Sequence, residues 1–161
     1  MRRPLLVFTA LLVLAGTADA APSAPGFRVK TLDGRTIDSN GLIGQKVIVL
    51  RFQASYCKPC MKESAALSQV AEKYRDRGVE VIAVHVQDAT PDVRAFVKAQ
   101  KATYAIALDP RLNLGNRFGF RGTPYTVVID RKGEMVARVH GAGVVRRLPR
   151  TLDALLKQGQ P

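Results

Sequence analysis

The sequence predicts an α/β fold with a central mixed β-sheet, helices on both faces and an N-terminal β-hairpin. Three observations predict it. Two nearly continuous apolar runs, 46–53 and 79–86, have the length and content of strands covered on both faces. Stretches of helical period, 58–77, 90–101 and 144–157, alternate with those runs or follow them. Turn signals rich in Gly, Pro and Asp separate the segments, so the elements read ββ–β–α–β–α–β–β–α.

The first twenty residues stand apart from this pattern. Arg2 and Arg3 precede a short apolar core, 4–16, and Ala18-Asp19-Ala20 ends in a small-x-small sequence. That is the layout of a secretory signal peptide cut before Ala21. Its apolar core is shorter than the roughly 20 residues a membrane span needs. An uncleaved N-terminal anchor is the rival reading, and Thr17 stands where a lipid anchor would want a cysteine. Residues 21–161 then form a single domain of about 140 residues, enough for one core.

Each element has its own justification. Residues 27–31 alternate as a short strand, Asp33-Gly34 turns the chain, and 35–38 returns as a hairpin. Asn40-Gly41 and Gly44 mark a loop. Residues 46–53 form the strongest strand. Across 58–77, Met61, Ala65, Leu67, Ser68, Val70, Ala71 and Tyr74 trace one helical stripe, with Pro59 in the first turn, where its missing N–H costs nothing. Gly78 stops this helix before the 79–86 strand. Thr90-Pro91 opens a second helix, with Thr90 as its cap. A strand at 104–108 and one or two helical turns at 112–118 follow. Strands at 126–130 and 134–140 join through Arg131-Lys132-Gly133. The closing helix turns Leu148, Leu152, Leu155 and Leu156 inward.

Chemistry concentrates in Tyr56-Cys57-Lys58-Pro59-Cys60, between the strongest strand and the longest helix. Cysteines three apart on a helix share a face, so their sulfurs can bond without moving the backbone. The helix N-terminus supplies free N–H groups and partial positive charge, which favour a thiolate, and Lys58 either adds to that or is simply solvated. The chain has two cysteines, both in this motif. A bridge across two residues closes almost no loop and is a poor structural staple. Four-cysteine zinc is excluded by the count, and His85 and His140 lack ligand spacing relative to the pair. The pair therefore reads as redox-active, and the two histidines as structural. No metal and no cofactor are implied.

The formal net charge is +12, and +11 once Arg2, Arg3 and Asp19 leave. That balance suits an acidic partner or peripheral contact with an anionic membrane face. The basic residues do not interleave with aromatics, and an export signal removes the chain from most nucleic acid, so no nucleic-acid partner is expected.

The element order, the Cys57-x-x-Cys60 motif and Gly122-Thr123-Pro124 before the last hairpin resemble the thioredoxin-like fold. More specifically, the chain resembles the exported TlpA-like (ResA/CcmG-type) thiol-disulfide oxidoreductases. Leu32-Asp33-Gly34, Glu63, Asp109, Gly115, the 118–124 run and 129–133 carry the likeness, which spans 25–156. It implies that Cys57 is the exposed nucleophile and that Cys60 resolves the mixed disulfide. It implies a cis bond before Pro124, with Thr123 and Tyr56 contacting substrate; a trans strand-start proline is the alternative. Glu63 matches a Glu kept near such sites and is expected to help move the Cys60 proton, unless it is a solvated first-turn residue.

Three departures stand out. Tyr56 replaces the Trp of thioredoxins, Gln53 replaces a second common Trp, and Arg51 stands where cytosolic thioredoxins bury an Asp. Arg51 either pairs with Glu63 or snorkels to the sheet edge. The implied partners are exported disulfide-bearing proteins and a membrane thiol-electron donor. The resemblance favours a periplasmic or otherwise exported reductant, including preparation of apocytochrome c thiols, over an oxidase or isomerase. A Sco-type copper chaperone on the same fold is the alternative, although such proteins space their cysteines one residue wider. A peroxidase is disfavoured by Ala54, which stands three residues before Cys57 in place of a Thr.

Overall fold

The computed structural model describes residues 21–158, so the expected signal peptide at 1–20 lies outside the described residues. A five-stranded sheet has the order β5–β4–β3–β6–β7, built from β3 (Val47–Gln53), β4 (Val79–Val86), β5 (Ala105–Asp109), β6 (Tyr125–Ile129) and β7 (Met135–His140). β3, β4 and β5 run parallel, while β6 and β7 add antiparallel, so the sheet is mixed. β1 (Arg28–Lys30) and β2 (Thr36–Asp38) form the N-terminal hairpin. That hairpin fastens to the β5 edge through Leu32 N–H donating to Ile106 O at 2.7 Å, which covers an otherwise open strand.

Parallel neighbours need crossovers, and the helices supply them. The connections are α2 (Lys58–Arg75) from β3 to β4 and α3 (Thr90–Gln100) from β4 to β5. Both crossovers advance in one direction along the sheet, so both helices lie on one face. A 3-10 turn (Val145–Arg147) leads into α5 (Leu148–Gln158) on that same face. Alternation along β3 and β4 sends Val47, Val49, Val79 and Val81 to this side, where they pack with Leu67, Val70, Tyr74, Val93, Leu148 and Leu152. Ile48, Leu50, Phe52, Ile82 and Val84 face the other way, toward Phe27, Ile37, Phe118 and the short helices α1 (Ser39–Leu42) and α4 (Asn113–Arg117).

Several boundaries differ from expectation. The long helix ends at Arg75, with Gly78 (φ 83°) turning the chain into β4. Thr90 does not cap α3: Ala89 holds that position without a side-chain bond, and Thr90 is already helical ahead of Pro91. The Asn40-Gly41 loop is instead the single turn α1, whose cap is the Asp38 carboxylate accepting from Asn40 N–H at 2.9 Å. The closing helix begins as a 3-10 turn, and Leu155 is only partly buried.

Candidate functional site

Cys57 is the N-cap of α2 and Cys60 lies within its first turn. Their Cα atoms are 5.2 Å apart and the sulfurs are joined in a disulfide. The Cys60 N–H donates to Cys57 Sγ at 3.2 Å, so one unpaired amide of the helix start is already spent on that sulfur. Cys60 is fully buried against Ala54, and Cys57, expected to be the exposed sulfur, is itself only 6% exposed because it packs in the same cluster. Tyr56 beside them is 65% exposed, an aromatic surface free for contact.

The Thr123–Pro124 bond is cis. β6 pairs with β3 through Phe52↔Tyr125, and continuing that register sets Thr123-Pro124 at the end of the sheet where β3 feeds Cys57. Pro124 is buried and Thr123 half-buried. His140 stacks on the Tyr125 ring at 4.0 Å between centroids, and the Gly141 N–H donates to Pro124 O.

Arg51 is 1% exposed and does not snorkel. Nη1 donates to Thr126 Oγ1 at 2.8 Å, and Nη2 forms an ion pair with Glu63 Oε2. Burial lowers the Arg51 pKa, and the Glu63 charge offsets part of that. Glu63 is therefore no solvated first-turn residue: its side chain is 14% exposed, and its Oε1 accepts from Gly143 N–H at 2.5 Å. The carboxylate ties α2 to β3 and to the 141–143 loop.

A second polar system was not expected. Gln53 lies two residues beyond Arg51 on the α2-facing side and opposite His85 in the parallel register. Gln53 Nε2 lies 2.9 Å from His85 Nε2, and His85 Nδ1 lies 2.8 Å from Asp88 Oδ2. An amide nitrogen can only donate, so His85 Nε2 accepts and Nδ1 carries the proton toward Asp88. Burial lowers the His85 pKa, with Asp88 opposing it, and so the ring is held neutral. Burial would raise the Asp88 pKa, but bonds from His85 and from Ser55 outweigh it and lower it. Ser55 N and Oγ reach the two Asp88 oxygens at 2.6 and 2.7 Å, which pins the loop two residues before Cys57. Nearby, Ser64 Oγ and Tyr104 OH share a hydrogen bond of 2.8 Å, and burial raises the Tyr104 pKa. One signal was available: Arg51, Gln53 and His85 interrupt the apolar ends of two central strands that feed the cysteine loop.

His85 is thus structural, but it is part of the floor beneath the cysteine loop. Among the described residues no group of three or more His, Cys, Asp or Glu is arranged to hold a metal ion.

A disulfide at the opening turn of a helix, next to a cis-proline strand on a mixed sheet, defines a thioredoxin-fold protein with a redox-competent cysteine pair. The chain belongs to the AhpC/TSA family, whose profile matches residues 20–138. It is 31% identical over 140 residues to the thiol-disulfide oxidoreductase ResA of Halalkalibacterium halodurans, covering 87% of this chain and 78% of that one. A thiol:disulfide interchange protein of the thioredoxin family from Chlorobium tepidum superposes with a TM-score of 0.77 at 27% identity, over 86% of this chain and 99% of that one. MTB dsbF, solved in mixed oxidized and reduced forms, gives 0.72 at 29% identity over 80% and 94%. Within the AhpC/TSA family, Ala54 packs on both cysteines and offers no hydroxyl at that position.

Proposed function

We propose that the protein is a thiol-disulfide oxidoreductase that works as a reductant on exported disulfide-bearing proteins. The observation that carries this is the Cys57–Cys60 disulfide on the first turn of α2, with a helix N–H aimed at Cys57 Sγ. In the reduced protein that amide and the helix dipole favour a Cys57 thiolate. The thiolate attacks a substrate disulfide; a mixed disulfide forms and the first substrate thiolate leaves. Substrate backbone lies along Thr123-Pro124, with Tyr56 as an aromatic contact. Cys60 then gives up its proton and attacks Cys57 Sγ, which closes the internal disulfide and expels the second substrate thiolate.

We assign the Cys60 proton to Glu63, one turn further along α2. Its oxygens keep spare lone pairs beside the Arg51 and Gly143 bonds. Two electrons and the Cys60 proton pass to the substrate, the second substrate thiolate takes from solvent the proton that Cys57 gave up, and an external dithiol, which we place at the membrane, restores the pair. Relatives named thiol-disulfide oxidoreductase support this reading. Export rests on the leader-like residues 1–20. No helix among the described residues is long and apolar enough to cross a membrane. Reduction of apocytochrome c cysteines is one task that fits.

The test is equilibration of the pair with glutathione. A reductant is expected at about −270 mV, and a value of about −120 mV would make the protein an oxidant.

A further inference from the structure

A groove of about 490 Å³ runs beside the disulfide, between the first three turns of α2 and the segment that follows β7. It begins at Lys58 and Pro59, the two residues that separate the sulfurs. Pro59, Ala66 and Val145 give it apolar walls, while Lys58, Lys62 and Arg146 line it as exposed cations. Lys58 and Lys62 are four apart and so share one helix face. Among the described residues none of these three cations takes part in an ion pair. The one acid in the groove, Glu63, is already matched by Arg51 and by Gly143 N–H. Three positive charges are therefore left uncompensated around an apolar floor that starts at the two residues between the cysteines.

We propose that this groove selects substrates whose cysteine is flanked by acidic residues, with Asp or Glu side chains meeting Lys58, Lys62 and Arg146. The proposal rests on the oxidoreductase reading and names its substrate class. An apolar segment would fit the walls but leave the cations unmatched. A basic segment would set like charges against one another, which lowers the association rate and excludes wrong partners. Lys62 is five residues from Cys57, about 7.5 Å along the helix axis. Two or three extended residues of a bound chain span that distance. The selecting acids are accordingly close neighbours of the attacked cysteine.

The experiment uses the purified dithiol form and three peptide disulfides that differ only in having Glu, Ser or Lys around the cysteine. Each turnover reduces one peptide disulfide to two thiols and closes one Cys57–Cys60 bond, so single-turnover rates need no other reductant. At low salt the Glu peptide is expected to react about tenfold faster than the Lys peptide, and the ratio shrinks toward one as salt screens the charges. Lys62→Glu and Arg146→Glu should each collapse or invert that ratio. Lys132→Glu, the same charge change in the exposed β6–β7 turn at the far end of β6, should leave it intact. Equal nonzero rates for the three peptides, or a ratio that falls equally in Lys132→Glu, overturn the selection and leave the reductase standing. If no peptide is reduced, the reductase reading falls and the selection with it.

Discussion

Three hydrogen bonds converge on the Asp88 carboxylate, from His85 Nδ1 and from the backbone and hydroxyl of Ser55. They make stability depend on pH in a defined direction. Burial holds the His85 pKa below its ordinary 6.5, so between pH 6.5 and that lower value the unfolded chain binds the extra proton. The stabilisation is complete above pH 6.5 and is lost as pH falls through the folded value. Asp88, also lowered from its ordinary 3.8, adds a second loss of the same sign below about 3.8. Asp33, held at about 2 chiefly by its Thr31 bond, shares that second arm, so only the first belongs to one residue. The urea midpoint should be flat from pH 8 to 7 and fall below about 6.5, and His85→Gln should flatten that upper arm. An upper arm unchanged in His85→Gln would assign it elsewhere. At this scale the cysteines were legible because spacing and position act locally. The Ser55–Asp88–His85–Gln53 floor was not, because it exists only once β3 and β4 pair with Gln53 opposite His85, and no local pattern states that register.

Glu63 binds three elements: α2 carries it, Arg51 on β3 pairs with it, and Gly143 N–H from the loop after β7 donates to it. Removing one partner of a buried pair leaves the other charge uncompensated, at a cost of about 3–5 kcal/mol. Glu63 retains some exposure, so Arg51→Leu should cost about 2–3 kcal/mol after screening. Adding Glu63→Leu should recover most of the loss, as a coupling in a double-mutant cycle of urea midpoints. Additive losses would show that the tie carries no energy of its own. The sequence offered this pair as one of two fates for Arg51, and packing decided it: position 51 alternates onto the face under α2, where it is 1% exposed and has no route to solvent. Element ends were less legible for a similar reason. Asp38 and Thr90 are both cap-type residues before a helical turn. Only Asp38 takes the position: Thr90 is already the first helical residue of α3, Pro91 is the second, and Ala89 caps the helix without a side-chain bond. The single turn of α1 is too short to show a period.

The order of elements was legible for the whole molecule because apolar runs, turn glycines and helical stripes all point to one sheet. The asymmetry of the layers follows from the connections: both parallel crossovers advance the same way, so α2 and α3 share a face with α5, and the hairpin and short helices cover the other. This arrangement sets the cysteine pair at the sheet end where β3 stops, and the redox balance of the pair is then a property of the folded whole. The potential measures how much more the fold stabilises one form of the pair than the other, with 30 mV worth about 1.4 kcal/mol. The α2 N-terminus and the Cys60 N–H favour the dithiol by stabilising a thiolate, whereas the Asp88 carboxylate behind Ser55 opposes negative charge there. Strong oxidants of this chemistry owe their potential to a stabilised reduced form. For a reductant the sign reverses, and the oxidised protein should melt higher than the dithiol form. A difference of about 1–2 kcal/mol would appear as roughly 3–8 °C for a domain of this size. Circular dichroism melts of the oxidised protein and of protein held reduced by excess dithiol measure it directly. If the reduced form melts higher, the fold favours the dithiol and electrons run toward this protein from its partners. Asp88→Asn should lower both melts, because one carboxylate oxygen that accepts from Ser55 and His85 becomes a donor, but it should lower the reduced form less, because it also removes a negative charge that opposes the thiolate.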